Sequence, residues 1–485
     1  MSSRGSERRT EVGDLLGSGI ARRTAMPVST TIIVVGGGAA GVLTALHLLR
    51  EQTGDVQVIL IEKGERVGEG IAYATRRPEH LLNVVASRMS AIETDPDHLL
   101  RWLGQRGISL GTAALGDGFA PRRLYADYLR DTLQAAASDR LTVLHDTAAA
   151  LYNDGGGLRL TLASGQSVSA DVVVLALGNW ARPTLRTLIP ETPPGRLFLG
   201  WDHEATAAIG SDEAVCIVGT GLSMVDAVLT LAAQDHRGPI HVVSRHGLLP
   251  LPHAPLGRVA LDVAALVPMS LRARMRTLRA HGAEARHSGQ PWQWVMDTVH
   301  PHIVHLWQTL SPADQRRFLR HVARCWDVHR HRIPAPVAAR LHAMQDAGQL
   351  LQHRGRPVAL TMRHAQLEIV LDRHGTRRVL IADRVIDCTG MQPDIRRVSD
   401  PLVCSMREDG RIRPGPHGIG LDTDATGALI AADGTPDPRL YAIGSVRRGQ
   451  LWESIAVPEL RQQAAALART ITGRAPCRRG GARHR

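Results

Sequence analysis

Three kinds of hydrophobic pattern alternate along the chain. Short unbroken apolar runs, such as TIIVV ending at Val35 and VCIV ending at Val218, run straight into glycine and read as strands buried on both faces. After the first of these, AAGVLTALHLL continues in helix-forming residues, as a strand-turn-helix unit requires. The third kind is strict alternation. It marks GLRLTLASGQSVSA, residues 157–170, and QLEIVLDRHGTRRVLIA, residues 366–382, as hairpins with one face toward solvent. Each hairpin is followed by an aspartate and a buried strand that stops at a glycine, Gly178 and Gly390. The repetition predicts two α/β units, each with its own β-meander and closing strand, and a chain that returns to the first unit after Gly390.

Between the second glycine turn and the second meander the pattern turns helical, over residues 250–345. Ser311 before Pro312, with Asp314 at the third helical position, is a helix start, and Phe318, Val322, Cys325 and Trp326 recur at core spacing. The expected organisation is a disordered extension over 1–30, a first dinucleotide domain over 31–200, and a second over 211–384 that carries the helical insertion. The first domain resumes over 385–470, and a basic disordered tail covers 471–485. The fold class is α/β with two Rossmann-like domains.

The glycine turns carry the first chemistry. Gly36, Gly38 and Gly41 fill the positions of G-x-G-x-x-G, and the next strand, DVQVILIE, ends in Glu62, 26 residues after Gly36. Gly36 permits a tight turn, Gly38 lets a pyrophosphate approach the backbone, Gly41 lets helix and strand pack, and Glu62 accepts from ribose hydroxyls. The second turn is weaker. Gly219 and Gly221 hold the first two positions, but Met224 stands where glycine or alanine is usual and requires a wider helix-to-strand contact. The strand that follows ends in Ser244 and Arg245, 25 residues after Gly219 and without an acid. Ser and Arg can receive a 2′-phosphate that an acid would repel, which points to NADPH or NADH with no bias against the phosphate.

Charge changes the picture little. A formal +12 on 485 residues suggests nucleic acid, but residues 1–25 hold five Arg against three acids and residues 473–485 five Arg and no acid. Nucleic-acid binders concentrate charge on one face, so none is expected as a partner. The cysteines Cys216, Cys325, Cys388, Cys404 and Cys477 include no C-x-x-C, which argues against a disulfide framework and a dithiol redox centre. The apolar run Ile32–Leu49 imitates a membrane span, but Thr44, His47 and its leading glycines suit a buried turn and helix. The first residues lack the apolar core of a secretory signal, so a cytoplasmic location and no membrane partner are expected. In DVHRHR, His329 and His331 lie two apart and face different ways on a helix, so no metal site is expected. His329, Arg330 and Arg332 are instead candidates for holding a small anionic substrate.

Longer stretches resemble a known family. GEGIAYATRRPEHLLNVVASRMSAIETDPDHLLRWL, FAPRRLYADYL, GTGLSMVDAVL, WDVHRHRIPAPVAARL and LYAIGSVRRGQLWESIAVPELRQQAAALA are similar to the bacterial flavin monooxygenases that include FAD-dependent urate hydroxylases and aspartate N-monooxygenases. The similarity runs from about Thr31 to Thr470, with Gly444-Ser445 where related flavoproteins often have Gly-Asp. It implies FAD on the first turn, held by Gly36, Gly38, Gly41, Glu62, Lys63, Leu82, Asn83, Gly178, Gly444 and Ser445, with HLLNV beside the flavin ring. Asn83 becomes the candidate catalytic residue. Pro458 opens a helix whose N-terminus would face the flavin pyrimidine. The resemblance implies NAD(P)H-driven oxygen transfer through a flavin C4a-hydroperoxide, with urate hydroxylation to 5-hydroxyisourate in purine degradation first. N-hydroxylation of an amino acid such as aspartate is second. A flavin oxidoreductase without oxygen insertion and a nucleotide-binding regulator are the readings from other classes.

Overall fold

The computed structural model describes residues 29–51, 56–112, 114–182, 184–189 and 194–473. Nearly all of the expected N-terminal extension, most of the basic tail, and Cys477 lie outside them.

β1 (Thr30–Val35), β2 (Val56–Glu62) and β3 (Leu141–His145) pair in parallel. An antiparallel meander of β4 (Ala148–Asp154), β5 (Gly157–Leu162) and β6 (Ser167–Ala170) follows, and β7 (Val172–Leu175) then returns beside β1. A second parallel sheet takes β8 (Leu197–Leu199), β9 (Val215–Val218), β10 (Ile240–Ser244) and β11 (Leu350–Arg354). Its meander is β12 (Arg356–Arg363), β13 (Gln366–Arg373) and β14 (Thr376–Ala382), and β15 (Arg384–Asp387) closes it beside β9. β16 (Ala428–Ile430) and β17 (Pro436–Ala442) rejoin the first sheet. The two strand orders are β16-β17-β7-β1-β2-β3 and β11-β10-β9-β15-β8. The repeated plan and the return of the chain are therefore present as read.

Two boundaries move. β8 is the edge strand of the second sheet, so the first domain gives way before residue 197 rather than at 200. β15 carries the second domain to Asp387 rather than to 384. A three-residue edge strand is too short to show a period, which is why β8 escaped the sequence pattern.

α1 (Ala39–Arg50) explains the long apolar run. Every residue from Gly41 to Leu49 is buried, because the helix lies between the first sheet, α2 (Arg122–Ala136) and the C-terminal helix Val457–Thr472. Its polar members are satisfied inside: Thr44 Oγ1 donates to Ala40 O at 2.8 Å, and His47 Nε2 lies 3.2 Å from Ala91 O. Among the described residues, no helix is long and apolar enough to cross a membrane.

α3 (Leu222–Ala233) is the counterpart of α1 in the second domain. In the insertion, Ser311 caps its helix as expected, accepting from Asp314 N at 3.1 Å. The core spacing that follows does not hold throughout. A π-helical turn at Phe318–Val322 adds a residue to the phase before α4 (Ala323–Arg330). Phe318 and Trp326 are buried, while Cys325 turns outward.

Candidate functional site

β1 ends at Gly36, whose φ of +104° lies where glycine is favoured. A Cβ there would lie 2.3 Å from Ala176 O, and one on Gly41 would lie 1.7 Å from Gly36 O. Gly38, which caps α1, is different: a Cβ would meet only Gly70, its Cα at 3.5 Å. The first and third glycines are thus required by the protein's own packing. The second leaves open backbone at a helix N-terminus, which suits a diphosphate. Glu62 ends β2 and accepts from Gly37 N at 2.6 Å and Gly64 N at 2.7 Å, so its carboxylate lies across the turn. Ser445 Oγ donates to Gly178 O, and a Cβ on Gly444 would lie 3.3 Å from Ala40 Cβ. Gly36, Gly38, Gly178, Gly444 and Ser445 therefore converge at the C-terminal ends of β1, β7 and β17, the edge where this architecture binds dinucleotides. Lys63 is exposed beside Glu62, and the Leu82 side chain is buried in the core.

The second turn repeats the geometry with other residues. Gly219 has φ +109°, and a Cβ on it would lie 2.0 Å from Cys388 O, the counterpart of Ala176 after the closing strand. Gly221 has nothing within 4 Å. Met224 is fully buried beside Ile217 and Val228. The Ser244 hydroxyl is occupied: it lies 2.9 Å from Thr220 Oγ1 and accepts from Gly247 N at 3.0 Å. Arg245 is exposed, so of the expected pair it alone presents a free group. Sequence reasoning missed Arg324 of α4, which donates to Thr220 O at 2.9 Å and to Leu248 O at 3.2 Å and so braces the turn. Burial above all, and the charge of Arg245 as well, lower its pKa. No motif joins positions 104 residues apart.

The two domains are clasped beside these turns. Arg122 of α2 donates to Asp226 Oδ2 of α3 at 2.5 Å, and His80 Nε2 lies 2.9 Å from Thr230 Oγ1 on the same helix. Burial pushes the Asp226 carboxyl up against the opposing pull of Arg122. His80 is wholly buried, and burial first, then the Arg122 charge, hold it down at about 4.

Asn83 lines a small cavity with Arg122, Leu222 and Pro334, and its carbonyl lies 3.0 Å from His253 Nε2. Burial, then the Arg332 charge, lower His253 to about 4. Beyond it the expected substrate-binding trio divides. Arg332 Nη2 donates to Asp297 Oδ1 at 2.5 Å, and Arg330 lies 3.4 Å from Glu453 and 4.0 Å from Glu459. Both arginines are buried and already paired, so neither offers an anion a free charge. His329 lies apart, its Nδ1 2.7 Å from Cys325 O and its ring against Trp292. The helix after Pro458 forms as expected, but its first turn holds Glu459, whose carboxylate engages that positive end. Burial drives Glu459 upward, and the His300 hydrogen bond with the charges of His300 and Arg330 more than offsets it, leaving a lowered pKa. Asp297, His300, Glu453 and Glu459 escaped notice because each is one ordinary polar residue in its own segment. Among the described residues, no three His, Cys, Asp or Glu side chains converge to hold a metal.

A family model described as FAD-NAD(P)-binding matches residues 33–180. No curated protein matches the sequence. Among solved structures, ornithine hydroxylase from Pseudomonas aeruginosa superposes with a TM-score of 0.62 at 16% identity, covering 92% of this chain and 99% of that one. Ornithine N-hydroxylase from Kutzneria sp. 744, solved with reduced FAD, NADP+ and ornithine, gives 0.64 at 14%, covering 91% and 99%. L-lysine 6-monooxygenase from Pseudomonas syringae gives 0.63 at 16%, covering 91% and 98%. The chain has the fold of these hydroxylases along nearly its whole length, and residues 33–180 form an FAD-NAD(P)-binding domain.

Proposed function

We propose that the chain is an FAD-dependent, NAD(P)H-consuming monooxygenase that N-hydroxylates a small amine-bearing substrate such as an amino acid. The observation that carries this reading is the pair of open glycine cradles, Gly38 and Gly221, on a fold shared over 91–92% of this chain with amine hydroxylases. That likeness favours N-hydroxylation over the urate reading. The paired states of Arg330 and Arg332 support the same choice, since an anionic purine would find no free guanidinium there.

Gly38 and the N-terminus of α1 would receive the FAD diphosphate, and Glu62 the adenosine ribose. Gly221 and the N-terminus of α3 would do the same for the nicotinamide donor, with Arg245 toward a 2′-phosphate. The bound flavin supplies the redox and oxygen-activating chemistry. Asn83, its carbonyl held by His253, presents an amide that can both donate and accept.

The test is NAD(P)H oxidation by the FAD-loaded protein across ornithine, lysine, aspartate and urate, with products identified by mass. An amine-dependent product heavier by one oxygen supports the reading. Urate turnover with no amine product overturns it.

A further inference from the structure

The helical insertion holds most of the chain's positive charge. Residues 250–345 contain thirteen Arg and no Lys against five acids, Asp262, Glu284, Asp297, Asp314 and Asp327, a net of +8 beside +12 for the whole chain. Two of those acids are already matched, Asp297 by Arg332 and Asp314 by Arg317. Between the two tails, charge is therefore concentrated in one subdomain.

Its densest part is the helix Leu271–His287, LRARMRTLRAHGAEARH, which Ser270 caps by accepting from Ala273 N at 3.4 Å. Leu271, Met275 and Leu278 turn into the insertion's apolar core with Trp307 and Phe318. Arg272, Arg276, Arg279 and Arg286 are exposed. Their spacings of four, three and seven keep them within about 80° of arc on a helix, in a row about 21 Å long. Among the described residues none of the four has an ion-pair partner. Glu284, the one acid of the helix, lies about 120° around the axis from Arg272 and accepts from Ser288 Oγ at 3.3 Å. Like charges three and four residues apart repel, and no acid in the row offsets this.

Three polyanionic surfaces could cover such a row. A basic helix that binds membranes lays its apolar face into the lipid, and here that face is spent on the insertion core. A nucleic-acid strand is held by aromatic stacking as well as by charge, and this helix contains no Phe, Tyr or Trp. An acidic helix carries carboxylates at the same fixed three- and four-residue spacings, as the charged flanks of paired helices do. We propose that Arg272, Arg276, Arg279 and Arg286 form a docking surface for an acidic helix of a partner protein. The row uses no residue of either glycine cradle.

The probe is an alanine-rich helical peptide with Glu at i, i+4, i+7 and i+14, titrated by fluorescence anisotropy into the FAD-loaded full chain. It is expected to bind, to weaken as salt is added, and to bind at least about fivefold more tightly than a helical peptide with the same glutamates spread around its axis. Changing all four arginines to glutamine should weaken it about tenfold or more with flavin content unchanged. Should that variant not fold, Arg276→Gln alone carries the test with a smaller loss. Absence of binding, equal binding of the two peptides, or an unaffected variant overturns the surface. Tighter binding of oligo(dT) or of phosphatidylserine vesicles than of the peptide would overturn the acidic-protein partner in favour of a nucleic acid or a membrane.

Discussion

The two glycine turns occupy equivalent places in their sheets but are built from different constraints. Gly36 and Gly219 are each pressed against the carbonyl that follows a closing strand, Ala176 and Cys388. Their lack of a side chain is therefore explained by the fold. Gly38 and Gly221 meet almost nothing in the protein, so the fold leaves their backbone open at a helix N-terminus. The third position separates the turns: Gly41 lets α1 approach until no Cβ fits, whereas Met224 fills the space beneath α3 with a buried side chain. Three glycines in one motif thus report different things: the outer two answer to the protein's own packing, and the middle one to open space.

The largest expected effect breaks the third position. Gly41→Val should leave no folded first domain, because its Cβ overlaps a backbone oxygen that cannot move independently of β1. Met224→Ala should cost about 2–5 kcal/mol as a large-to-small core change yet still yield flavin-loaded protein. Thermal denaturation with flavin absorbance reads both. A Gly41→Val protein that melts like the parent would end the distinction.

Next come the middle positions. Gly38→Val should fold but purify without FAD, while Gly221→Val should stay yellow and raise the apparent KM for NAD(P)H about tenfold or more. Equal flavin content in the two variants would show that the cradles are not assigned to separate cofactors.

Smaller effects distinguish the outer and inner arginines of the second turn. Arg245→Ala should raise the KM for NADPH roughly ten- to hundredfold with little change for NADH, the size of one charge-assisted phosphate contact. Arg324→Met, which removes the brace on Thr220, should weaken both donors alike. Equal small changes from Arg245→Ala would make it a solvated strand end.

The smallest effect concerns the clasp that keeps the turns together. His80 is neutral in the fold down to about pH 4 but has an ordinary pKa of 6.5 when unfolded. Between those values the unfolded chain binds the extra proton, so stability rises with pH and is lost as pH falls from 6.5 toward 4. Melting temperatures across that window should fall less steeply in His80→Gln than in the parent. An identical slope would remove His80 from the clasp.

Much of this was legible in the sequence where chemistry follows a local period. Gly36, Gly38, Gly41 and Glu62 were readable because strand, turn, helix and next strand have fixed spacings. The repeat ending at Gly178 and Gly390 was readable because alternation survives over a whole hairpin. Cys325 was misplaced in the core, although Trp326 is buried as read, because a π-turn alters the helical phase without leaving a sign in composition.

By itself, then, the sequence determined the two α/β units, their cradles and the helical character of the insertion, since these depend on interactions between residues a few positions apart. Tertiary structure alone decided that Arg330 and Arg332 are neutralised rather than offered to an anion, and that Glu453 and Glu459 lie together beside them. It also decided that Arg122 meets Asp226 and that Arg324 meets Thr220. The physical reason is that a charge carries no period. Its partner is whichever group the folded backbone brings within a few ångströms, and burial then determines how strongly the pair interacts.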